Sequence, residues 1–102
     1  MGSRLNLHKE LESLLGTKNC YFQPPESVKL KYDCIVYNRT SAQNDRADNI
    51  SYLYTASYRV MLITKDPDNP IIDEIPKRFK HCRFASHYTR DNLNHYVYDL
   101  YY

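Results

Sequence analysis

An α+β fold, a mostly antiparallel sheet of about five strands with two short helices on one face, is what this sequence predicts. Three observations predict it. Segments with the two-residue period of strands come in consecutive runs, and only two short segments repeat at helical spacing. The chain has 102 residues, and a chain of this length buries roughly 60 to 70% of its unfolded surface, enough for a single core and hence a single domain over 1–102.

The first helix falls on residues 5–15, where Leu7, Leu11, Leu14 and Leu15 recur at i, i+4, i+7 and i+8 while Asn6, Lys9, Glu10, Glu12 and Ser13 face away. Ser3 is its expected N-cap and Gly16 its left-handed C-cap. A short strand over Asn19, Cys20, Tyr21 and Phe22 is stopped by Pro24 and Pro25, which remove two backbone donors. Residues 32–38 form the next strand. There Ile35 and Tyr37 alternate with Cys34 and Val36, so both faces are apolar and the strand is expected to be central.

Residues 39–49 hold only Ala42 and Ala47 as hydrophobes and are long for a hairpin loop, so they are expected to be a functional loop or a disordered tip. The strand signal over residues 51–64 is the strongest in the chain, with Tyr52, Tyr54, Tyr58, Val60 and Leu62 on one face. Its length predicts either a bulge or a first half that projects beyond the sheet. Residues 65–70 form a turn into the second helix, with Asn69 as N-cap and Pro70 at the first helical position. Ile71, Ile72, Ile75 and Phe79 give that helix its apolar face, and Pro76 predicts a kink or an early stop. Residues 82–90 and 95–102 alternate as two strands around a turn of Asp91, Asn92, Leu93 and Asn94.

Composition removes several functions. Gly16 is the only glycine beyond the N-terminal tail, so no phosphate loop, dinucleotide fingerprint or nucleophile elbow can be built. The longest apolar run is 60–63, far short of the roughly 20 residues of a membrane span. No apolar stretch follows Arg4, and the chain is expected to stay inside the cell that makes it. Cys20, Cys34 and Cys82 are widely spaced and read as small core residues, and His8, His81, His87 and His95 show no metal-ligand spacing. We expect no cofactor, no metal and no enzymatic activity.

The net charge of +2 is small, but Lys77, Arg78, Lys80 and Arg83 surround Phe79 in a basic run of the kind that follows a phosphate backbone while stacking a base. A small nucleic-acid-binding module is therefore one reading. A structural assembly protein is the other, favoured by the polar loop, the overlong strand and the 11 tyrosines.

Taken in order, the leucine helix with Tyr21-Phe22-Gln23-Pro24-Pro25, the stretch Tyr32-Asp33-Cys34-Ile35-Val36-Tyr37, the strand through Tyr58-Arg59-Val60 into Lys65-Asp66-Pro67-Asp68, and the closing Asp91-Asn92-Leu93-Asn94-His95-Tyr96-Val97-Tyr98 resemble the tail-completion, or tail-terminator, proteins of long-tailed bacteriophages of Gram-positive hosts. The resemblance spans nearly the whole chain and includes no catalytic signature. It implies an α+β virion protein of the head-to-tail junction, made in the host bacterial cytoplasm and without enzymatic activity. Its partners would be other copies of itself in a ring, usually a hexamer, the tail tube protein and the head-tail connector. It would touch DNA transiently and non-specifically in its lumen. A head-completion or neck ring protein of similar size is the alternative. A closed ring repeats one heterologous contact, so each subunit needs two complementary patches. The expected patches are Arg39, Arg46, Asp48, Tyr52, Tyr54 and Tyr58 on one side, and Tyr88, Asp91, Asn92 and His95 on the last hairpin. Lys77, Arg78, Lys80 and Arg83 are assigned to a lumen or DNA-facing surface.

Overall fold

The computed structural model describes residues 4–40 and 57–102. The expectations for Ser3, for residues 41–49 of the polar loop and for the first half of the long strand lie outside the described residues. Leucine spacing does what it predicts in α1 (Arg4–Leu15), where Leu7 and Leu11 are fully buried. Gly16 ends the helix at φ +83°, and its N–H donates to the Glu12 carbonyl at 2.9 Å, the left-handed closure that a side chain would strain.

Five strands follow: β1 (Cys20–Phe22), β2 (Cys34–Arg39), β3 (Ser57–Thr64) and, after α2 (Ile71–Arg78), β4 (His81–Arg90) and β5 (Leu93–Tyr101). They make one sheet in the order β1-β2-β3-β5-β4, with β1 parallel to β2 and every other pair antiparallel. The architecture is α+β, as expected, and β2 is an interior strand. The last turn is tighter than the sequence implied. Asp91 and Asn92 adopt φ of 55° and 64°, a two-residue turn with both positions left-handed, so Leu93 and Asn94 pair with Arg90 and Thr89 as strand residues.

Strand alternation divides the side chains between two faces. Ile35, Tyr37, Tyr58, Val60, Leu62, Tyr98 and Leu100 join Leu7 and Leu11 of α1 and Ile75 of α2 in the main core, which places both helices on one face of the sheet. Cys34, Ile63 and Leu93 form a smaller cluster on the opposite face, beside Tyr21, Val36 and Met61.

Pro76 does not stop α2 at once, since the helix runs on to Arg78. Proline has no N–H to give the Ile72 carbonyl one turn back. The Tyr98 hydroxyl donates to that carbonyl instead, at 2.7 Å, and so ties α2 to β5. Asn69 caps the other end, its Oδ1 accepting from the Ile71 N–H at 2.9 Å. The Asp33 carboxylate at the start of β2 accepts from the Thr64 hydroxyl (2.7 Å), the Lys65 N–H (3.2 Å) and the Asn69 amide (3.2 Å), so a single charged group fixes the β3–α2 turn. No helix is long and apolar enough to cross a membrane among the described residues.

Candidate functional site

Beyond the helices, the sheet ends in the β4–β5 ribbon. Nine of the ten residues of β4 are exposed, only Cys82 being half-buried, and no described strand lies outside it. An edge strand normally carries protective features, and β4 has a bulge between Phe84 and Ser86 together with Arg83 and Arg90. It also carries what a protected edge does not need. Phe84 is 51% exposed on the helix side, where it meets Tyr98 edge-on at 5.7 Å, and Tyr88 is 41% exposed on the other side. Two histidine–tyrosine stacks lie on opposite faces of the ribbon, His87 on Tyr96 at 4.6 Å and Tyr88 on His95 at 4.7 Å. The Tyr88 hydroxyl points to the Met61 sulfur at 3.6 Å. The two strands hold five aromatic residues, three histidines and no lysine or glutamate, the composition that marks surfaces covered by another protein.

At the far end of the ribbon, on the face away from the helices, Arg59 of β3 and Arg83 of β4 flank Asp99 of β5 at 3.4 and 3.5 Å. The register Arg59–Asp99–Arg83 builds this row across three strands. A shallow cleft of about 250 Å³ opens beside it, lined by Ser57, Arg59, Arg83, Asp99 and Tyr101.

The basic run does not form one stripe. Lys77 and Arg78 end α2, Lys80 lies in the following turn, and Arg83 is in the row just described. Arg78 donates to Glu10 at 3.0 Å, and the other oxygen of Glu10 accepts from the Tyr102 hydroxyl at 2.7 Å. Burial, and then the bond to Glu10, pushes the Tyr102 phenol up to about 12. Phe79 is no stacking platform: it is 5% exposed and packs edge-on against Tyr102 at 5.9 Å. The aromatic expected to serve a nucleic acid is therefore part of the core, because the alternation that exposes Lys80 turns Phe79 under the helices.

Of the residues expected at a subunit contact, Arg46, Asp48, Tyr52 and Tyr54 lie outside the described residues. Tyr58 is 2% exposed, and Arg39 holds its hydroxyl at 3.2 Å with the guanidinium 5.4 Å over the ring. This pair closes the end of the core, which takes the Tyr58 side chain away from any neighbour. Tyr88, Asp91, Asn92 and His95 do come together on the last hairpin, with His95 buried under the Tyr88 ring and Asp91 and Asn92 exposed in the turn. Phe84, His87, Arg59, Asp99 and Tyr101 complete the exposed surface and were not singled out from sequence. The signal that could have found most of them is the absence of lysine and glutamate from β4 and β5.

The remaining reactive groups lie in or against the core. Burial pushes the thiols of Cys20 and Cys34 up to about 12 and that of Cys82 up to about 11, so all three stay protonated near neutrality. Glu12, His8 and Tyr37 line up like a proton relay, with His8 3.3 Å from Glu12 and sharing a 2.6 Å hydrogen bond with the Tyr37 hydroxyl. Tyr37 is fully buried and cannot meet a substrate. Among the described residues no three of His, Cys, Asp and Glu converge as a metal site. Comparison with protein-family models, with curated proteins and with solved structures finds no match to the chain.

Proposed function

We propose that the chain is a structural assembly protein that closes into a ring on the end of a bacteriophage tail tube, stops tube growth and offers a surface for joining the head. The observation that carries the assembly half of this reading is the β4–β5 ribbon, which exposes Phe84 and Tyr88 on opposite faces and holds aromatics, histidines and arginines without lysine or glutamate. Phe84 is 51% exposed, so covering the rest of it is worth about half of the ~1.5–3 kcal/mol of a full burial, and no described element covers it. The phage half of the reading rests on the sequence resemblance.

The test is direct. Tail tubes assembled from the tube protein of a long-tailed phage are mixed with the purified chain and their lengths and ends viewed by electron microscopy. The expected result is a ring at one end and tubes that stop growing. A Phe84→Ser, Tyr88→Ser variant should keep its circular dichroism and leave the tubes uncapped. Tubes that grow unchecked in the presence of the wild-type chain would remove the tail-terminator reading. Binding to the head connector in place of the tube would favour the neck ring protein.

A further inference from the structure

Charge is divided along the strand direction of this fold. Thr64, Asn94 and Thr89 are paired at one end of the sheet, and Ser57, Tyr101 and His81 mark the other. Helix α2 runs from the first end, where Asn69 bonds Thr64, to the second, where Arg78 meets Glu10 beside Tyr102. At the first end Asp66, Asp68, Asp73, Glu74 and Asp91 are exposed and have no ion pair among the described residues. The cations at this end are Lys18, Lys65 and Arg90, with Lys29 and Lys31 on either side of Leu30 at the cluster of Cys34, Ile63 and Leu93, so the acids gather at the β3–α2 turn around Lys65 and not over the whole end. At the second end Lys77 and Lys80 are exposed and likewise unpaired among the described residues, and Arg59 and Arg83 share the single carboxylate of Asp99.

Helix stability explains part of this. Asp73 and Glu74 in the first turn of α2, and Lys77 and Arg78 in the last, complement the helix dipole. It does not explain Asp66 and Asp68 in the preceding turn, nor Arg59 and Arg83 on strands. The segregation belongs to the molecule, not to one helix.

We infer that a second copy of this chain docks head to tail, the acidic β3–α2 turn of one copy against the basic α2–β4 turn of the next. The complement is already present on the chain itself, at its opposite end. A polyanion is the less suited occupant of the basic end, because Glu10 and Asp99 sit within it and Phe79 is buried beneath it. The contact is heterologous, the kind that closes into a ring or runs on as a filament. It deepens the assembly reading and rests on it for closure, and it leaves Phe84 and Tyr88 of the β4–β5 ribbon free for the tube.

Sedimentation velocity and native mass spectrometry of the full chain test it. The wild type should self-associate at about 50 mM salt, with the half-assembly concentration rising at least about tenfold at about 0.5 M, since the screening length falls from more than 10 Å to a few Å. Asp68→Lys with Glu74→Lys makes both ends basic, and Lys77→Glu with Lys80→Glu makes both acidic. Among the described residues none of these four side chains makes a bond within the fold. Each double variant should be folded by circular dichroism and monomeric, and an equimolar mixture should assemble again, because alternating copies restore every contact. A wild type that stays monomeric at low salt overturns the inference, and so do variants that assemble as the wild type does or a mixture of folded variants that stays monomeric. An oligonucleotide bound at low salt, and lost in Lys77→Glu, Lys80→Glu, by a chain that never self-associates overturns it in favour of a polyanion. If the charge variants still cap tubes, the head-to-tail contact fails and the assembly reading stands. If the wild type caps no tubes yet the mixture assembles, the contact stands and the tail reading fails.

Discussion

The helix-covered part of the sheet and the β4–β5 ribbon use the same residue in opposite ways. Tyr37, Tyr58 and Tyr98 are buried in the main core, and each hydroxyl is held inside the fold, by His8 and Arg4, by Arg39 and by the Ile72 carbonyl. Tyr88 is 41% exposed, and among the described residues its hydroxyl meets the Met61 thioether at 3.6 Å. A buried tyrosine must find a partner because an unsatisfied hydroxyl costs about 1–3 kcal/mol. An exposed one has water. In the covered region tyrosine is therefore a structural tie, and in the ribbon it is surface that another molecule can cover. The abundance of tyrosine in this chain is one fact with two causes.

The comparison can be broken most severely with alkali. The Cys20 and Cys34 thiols, ordinarily near 9.0, are raised to about 12 by burial, so the folded chain holds protons that the unfolded chain releases. That stability is whole below pH 9 and is lost as pH rises from 9 toward 12. The urea midpoint should therefore fall steeply across that window. Cys20→Ala with Cys34→Ala should flatten the fall, and a midpoint that did not move would mean that these two thiols, one on each face of the sheet, are not buried.

Next in size is Leu11→Ala, which empties a fully buried site under α1 and should cost about 2–5 kcal/mol in urea unfolding. Tyr98→Phe should cost about 1–3 kcal/mol by orphaning the Ile72 carbonyl. In a Pro76→Ala background the same change should cost measurably less, because an alanine there restores the N–H that the helix would have used. If the two changes are additive, the hydroxyl is not replacing a missing backbone bond.

The smallest effect on stability is expected in the ribbon. Phe84→Ser should change unfolding by about 1 kcal/mol or less while weakening the capping of tail tubes seen by electron microscopy. A large loss of stability would show that Phe84 belongs to the core after all, and the contrast between the two regions would vanish.

Much of the covered region was legible in the chain. Leu7 and Leu11 repeat at helical spacing, Tyr58, Val60 and Leu62 alternate onto one face, and Gly16 and Asn69 sit where helix ends need them. The candidate site was legible only in part. Tyr88, Asp91, Asn92 and His95 were found because they flank a turn, and turn residues are a local signal. Arg83 was picked out only as part of the basic run, and its row with Arg59 and Asp99 was not, because these residues meet through pairings between positions up to 40 apart.

The sequence by itself determined the kind of elements, the face of each that is apolar and ends such as that of α1 at Gly16, since these follow from period, caps and turn chemistry within a few residues. Only the tertiary structure decided which faces are covered. Phe79 and Phe84 stand five positions apart in one basic, aromatic stretch, yet one packs in the core with α1 and α2 while the other lies at the sheet edge, 51% exposed among the described residues. Alternation assigns a side chain to a face of a strand. Whether that face meets a helix, a neighbouring strand or water depends on the strand order β1-β2-β3-β5-β4, and that order is set by contacts between distant parts of the chain.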